Sequence, residues 1–96
     1  MVESIYLKDK MTLVFEPLGK KLRLIVSSAD VELACRKETL KNLDIFIKTE
    51  EIDIFKGRLQ LKKHGAEIDI IVKNKIVQRI RTSEFSTTLA RAVNLS

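Results

Sequence analysis

Ninety-six residues, 45% hydrophobic and 32% charged, describe one folded α+β domain spanning 1–96, long enough for a single core. No apolar run approaches the roughly 18 residues of a bilayer span, and the single cysteine, Cys35, excludes an intramolecular disulfide and any zinc site built on several cysteines. The N-terminal stretch carries Glu3 and no basic segment leading a long apolar one, so a cytoplasmic rather than a secreted or membrane protein is expected.

In chain order, the odd-numbered Ile5, Leu7, Met11, Leu13 and Phe15 mark two strands, Ser4 to Lys8 and Met11 to Glu16, joined by a turn at Asp9 and Lys10. Pro17 has no ladder donor and Gly19 follows, so the second strand is expected to stop there. Leu22, Leu24 and Val26 mark a third. Between Ser27 and Asn42 the composition shifts to Ala, Glu, Leu, Arg and Lys, residues that lose little side-chain freedom in a helix, and Ser27 or Ser28 can cap it. A helix over 28–42 is the preferred reading, although Val31, Leu33 and Cys35 also alternate as in a strand. Cys35 is expected as a small buried side chain.

From Leu43 to Arg81 apolar and polar residues alternate repeatedly, the two-residue period of half-buried strands, and an antiparallel meander of five strands is expected. Leu43, Ile45 and Ile47 share a face that Ile52 and Ile54 continue across a Thr49–Glu50 loop. A Lys56–Gly57 loop pairs Ile54 with Leu59 and Ile52 with Leu61, and a glycine bulge would shift the parity equally well. A turn from Lys63 to Ala66 sets Leu61 against Ile68 and Lys62 against Glu67. A loop from Lys73 to Lys75 sets Val72 against Ile76 and Ile68 against Ile80. The opposite face carries Phe46, Phe55, Ile71 and Val77 among Asp44, Asp53, Arg58 and Asp69. Thr82 or Ser83 can cap a closing helix whose Phe85, Leu89, Ala92 and Val93 recur at spacings of three and four, and this helix is expected to pack over those aromatic rows. The fold class is thus mostly antiparallel sheet, with a meander from about 43 to 81, one mid-chain helix and a C-terminal helix on the sheet. No sequence repeat of 20 to 50 residues is present.

Charge is unevenly spread. Between Lys56 and Arg81 lie eight basic residues, Lys56, Arg58, Lys62, Lys63, Lys73, Lys75, Arg79 and Arg81, against Glu67 and Asp69, a net +6; the remainder holds ten basic and eleven acidic residues, a net −1. In the expected register Lys62, Lys63, His64 and Arg81 gather at one end of the sheet and Lys56, Lys73 and Lys75 at the other, with Arg58 and Arg79 between. Donors repeated along a surface are what a phosphate backbone requires, so a small nucleic-acid-binding protein, for DNA or RNA, is expected to use these nine residues through its hairpin loops and strands. Lys-rich turns also guard sheet edges against aggregation, which needs no ligand at all.

Tyr6, Phe15, Phe46, Phe55 and Phe85 fall where core packing explains them, and no paired-aromatic RNA-binding signature is present. His64 is the sole histidine, flanked by Lys63 and Gly65 with no obvious carboxylate to orient it, and one outward aspartate per strand makes a weak metal motif. With no glycine-rich phosphate loop or nucleophile elbow either, no catalytic residue, metal or cofactor is expected. The alternative is a non-catalytic interaction or regulatory module, as a homodimer through a sheet edge or by docking through the Phe46 and Phe55 face.

Overall fold

Two successive units of one kind, each a four-stranded antiparallel meander followed by a helix, make up the structure, a computed structural model that describes residues 2–49, 51–52 and 57–94. In the first unit β1 (Glu3–Tyr6), β2 (Met11–Leu18), β3 (Lys21–Ser28) and β4 (Val31–Thr39) precede α1 (Leu40–Lys48). In the second, β5 (Glu51–Ile52), β6 (Leu59–His64), β7 (Glu67–Val72) and β8 (Lys75–Arg81) precede α2 (Thr82–Asn94). The α+β class and both helices agree with the sequence reading. Architecture repeats here without sequence repeating, because a meander needs only a two-residue period and a turn at the right interval.

Alternation explains the strands. Leu13, Phe15, Leu22, Leu24 and Val26 of the first sheet and Leu59, Leu61, Ile68, Ile70 and Ile80 of the second are buried, and with Leu43, Phe46, Phe85 and Ala92 of the helices they form one hydrophobic cluster. Three phenylalanines join its parts. Phe85 meets Phe15 edge-on at 5.1 Å between ring centres and Phe46 at 5.9 Å. The sheets are linked along both borders, where the Lys8 amide donates to Gln78 Oε1 at 2.7 Å and Arg36 Nη1 donates to the Leu59 carbonyl at 3.3 Å.

The mid-chain helix lies one element downstream of its expected position. Residues 31–39 pair with β3 along its whole length, Leu22 opposite Glu38 and Val26 opposite Ala34, so the free edge of β3 draws in a segment whose composition favours a helix. The helix then starts at Leu40 because Thr39 caps it, its side chain accepting from the Asn42 amide at 3.1 Å. Leu43 and Phe46, three apart, are its buried residues, while Ile45 is exposed. The alternation of Leu43, Ile45 and Ile47 was therefore misleading. The meander begins after α1, the expected Ile47–Ile52 strand pair does not form, and Phe46 belongs to the core rather than an outer aromatic row.

Smaller corrections concern the turns. Gly65 (φ 60°) and Ala66 make a two-residue loop in place of the expected four-residue turn, so Leu61 faces Ile70 and Lys62 faces Asp69. The shift is even in residues, and every side chain keeps its face. Lys73 (φ 51°) and Asn74 (φ 68°) form the next loop, Val72 faces Lys75, and a bulge between Ile70 and Ile71 restores the expected pairing of Ile68 with Ile80. Ile52 faces Lys63 rather than Leu61. The expected contacts of Asp53, Ile54, Phe55 and Lys56 lie outside the described residues.

β2 continues through Pro17, which sits beyond the last β1 pair, Phe15 opposite Glu3, where no neighbour asks for its missing donor. Cys35 is exposed, on the outward side of β4. α2 buries Phe85, Leu89 and Ala92, with Val93 partly covered, as the spacing predicts, but it packs against β1, β2 and β8 at the core rather than over an outer face.

Candidate nucleic-acid interface

Since the even positions of β7 and the odd positions of β6 point inward, Lys62, His64, Glu67, Asp69, Arg79 and Arg81 share the outward face of the second sheet. Register places Asp69 between Lys62 on β6 and Arg79 on β8. Arg79 Nε donates to Asp69 Oδ1 at 2.6 Å, His64 Nε2 stands 3.1 Å from Asp69 Oδ2, and Arg79 Nη1 is 4.0 Å from Glu67. The Asp69 side chain is only 3% exposed beneath these neighbours. The hydrogen bond from Arg79 holds its carboxyl below the usual aspartate value against the opposing effect of burial, with the charges of Arg79 and His64 adding to the lowering. Arg79 is correspondingly raised, first by its hydrogen bond to Asp69. His64 thus has an orienting carboxylate that the sequence did not reveal.

The eight expected basic positions that lie among the described residues do not form one strip. Arg58, Lys73 and Lys75 are exposed and meet at one end of the sheet, where the Lys73 amide donates to the Arg58 carbonyl at 2.8 Å. Lys62 and Arg81 are exposed toward the other end. His64 and Arg79 are committed in part to Asp69. Lys63 points inward and is buried, its ammonium donating to the carbonyl of Thr49 at the C-terminal cap of α1, which assigns it to holding the helix rather than a ligand. Lys56 lies outside the described residues.

A different gathering of arginines appears at the border of the sheets. β1 and β8 each end a sheet, and with α2 they enclose an open groove of about 720 Å³. Arg79 and Arg81 reach it from β8 and Arg91 from α2, opposed by one carboxylate, Glu84. Arg81 and Arg91 have no carboxylate at ion-pair distance among the described residues. The N-terminus of α2 is fixed beside it, the Thr82 amide donating to the Ala66 carbonyl at 2.8 Å and Thr82 Oγ1 to the Gly65 carbonyl at 3.0 Å. On the β1 side stands Tyr6, 85% exposed.

Tyr6 and Arg91 were not among the expected site residues. Parity between the buried Ile5 and Leu7 signals that Tyr6 points outward, contrary to the core position expected of it. Arg91 lies off the Phe85, Leu89 and Ala92 stripe, but only the topology shows that its face borders β8. Among the described residues no group of three or more His, Cys, Asp or Glu side chains is placed to hold a metal ion, and no helix is long and apolar enough to cross a membrane. No protein-family model, curated protein or solved structure matches this chain.

Proposed function

We propose that this protein binds nucleic acid in a non-catalytic role, seating phosphates in the groove between β1, β8 and α2. The supporting observation is the convergence there of Arg79, Arg81 and Arg91 with Glu84 the one carboxylate lining the groove; Arg79 is shared with Asp69 and Glu67, and the other two guanidiniums are free of ion pairs among the described residues. Guanidinium donors match phosphate oxygens in geometry as well as charge. Lys62 is an outlying contact on the adjoining face, and Arg58, Lys73 and Lys75 serve a strand long enough to reach the far end of the sheet. The cytoplasm is the proposed compartment, where a lone exposed Cys35 stays reduced.

Fluorescence anisotropy of labelled single-stranded and duplex oligonucleotides at rising salt tests the reading. Three phosphate contacts give a slope of log affinity against log salt of about −2 to −3, and replacing Arg81 and Arg91 together by alanine removes roughly 1.5 of it. Absent or salt-independent binding rejects the proposal.

A second reading follows from the start of β8, the last strand of its sheet, where Ile76 is 61% exposed. There a strand of a second copy or another protein would extend the sheet. Sedimentation across a range of concentrations tests the homodimer, and a monomer throughout removes it. Docking through Phe46 has no support, because that ring is fully buried.

A further inference from the structure

Building on the phosphate-binding reading of the same groove, we propose that its ligand is a single strand, with Tyr6 as the platform on which an unpaired base stacks while Arg79, Arg81 and Arg91 hold the flanking phosphates. Tyr6 is the most exposed of the large hydrophobic side chains among the described residues at 85%, so its ring contributes almost nothing to the core. Neither a ring partner nor a hydrogen bond engages it among the described residues. Its backbone pairs with Thr12 in the ladder, which fixes the strand beneath it and so the direction in which the ring projects. An outward-facing aromatic ring on a paired strand, lining the same groove as three arginines, combines the two elements that sequence-tolerant single-strand binding uses, stacking surface and positive charge.

The geometry also argues against a duplex as occupant. In paired nucleic acid the base faces are hidden within the stack, and a side-chain ring reaches them only if the helix is opened. Duplex phosphates alone would leave Tyr6 unused. The uncharged hydroxyls of Ser4, Ser83 and Thr87 on the groove wall can bond sugars and base edges without adding charge. A single strand engages every one of these groups.

The composition supplies a direct probe, since Tyr6 is the only tyrosine and tryptophan is absent, so intrinsic emission reports this ring alone. Titration with a short unlabelled oligothymidylate should quench that emission, with a midpoint matching anisotropy of the labelled oligomer. Tyr6→Phe should retain the affinity, and Tyr6→Ala should weaken it roughly 5- to 100-fold with the salt slope unchanged, because stacking displaces no counterions. Oligothymidylate binding with a normal salt slope, unchanged emission and no loss in Tyr6→Ala overturns the stacking proposal while the phosphate reading stands. Preference for duplex overturns it in the same way. If neither form of nucleic acid binds, or if polyaspartate competes equally with oligothymidylate at matched charge, both readings fall.

Discussion

The loop between β3 and β4 offers a sharp test of the structure through a single methyl group. Ser28 faces Val31 across a two-residue turn whose central residues, Ala29 (φ 50°) and Asp30 (φ 70°), both lie in the left-handed region. That geometry matches the strand twist but sets the Ala29 Cβ against its own backbone, at a cost of about 1–2 kcal/mol for a residue other than glycine or asparagine. Ala29→Gly removes that strain and gives back about 0.4–1 kcal/mol through the looser unfolded chain, leaving a net gain of about 0.5–1 kcal/mol. For a domain of this size the melting temperature should rise by roughly 2–8 °C. Ala90, exposed on α2, is the control, since Ala90→Gly should cost about 1 kcal/mol in a helix of ordinary geometry. Thermal and urea unfolding followed by circular dichroism reads both variants. Should Ala29→Gly melt lower than wild type, as Ala90→Gly does, the left-handed turn is wrong, and with it the register that makes 31–39 a strand.

Asp69→Asn keeps the side chain's shape and removes its charge. Because Arg79 holds the carboxyl below its usual value, the contribution of the ionised form is complete above the unfolded pKa of about 3.9 and is lost as pH falls through the lower folded value. Urea midpoints of wild type and variant should therefore differ at pH 7 and converge in acid, and a gap that persists there contradicts the account. The same variant releases Arg79 and should tighten oligonucleotide binding with a steeper salt slope, measured by anisotropy. Lys63→Met should cost about 1–3 kcal/mol by leaving the Thr49 carbonyl unpaired, yet leave oligonucleotide affinity unchanged; weaker binding in a folded variant would return Lys63 to the ligand site.

What could be read from the sequence depended on whether neighbouring signals agreed. In β2 and β3 they did, with Leu13, Phe15, Leu22, Leu24 and Val26 all odd or all even within a run and Gly19 punctuating between them. Across 31–48 they conflicted. Val31 and Leu33 alternate inside a helix-forming composition, while Leu43, Ile45 and Ile47 alternate inside what is a helix, and pairing with β3 decided between them. The β3–β4 turn was hidden because Ala29 and Asp30 take conformations that glycine or asparagine usually announces. Charge counting located the basic segment but could not show that Asp69 would occupy Arg79 and His64, or that Lys63 would turn inward. The groove was further out of reach, since it joins residue 6 to residues 79–91 across an interface no local pattern encodes.

The seating of α2 also bears on how the protein is made. Its phenylalanine fills the space beside Phe15 and its contacts reach β1 and β2, so the earliest strands are completed by the helix synthesised after every other described element. Until α2 has emerged, the apolar side of β1 and β2 that it covers, Phe15 included, lacks that cover. Mostly local hairpins thus wait on a few contacts between distant segments to close the core, and until those form the uncovered face is open to misassociation.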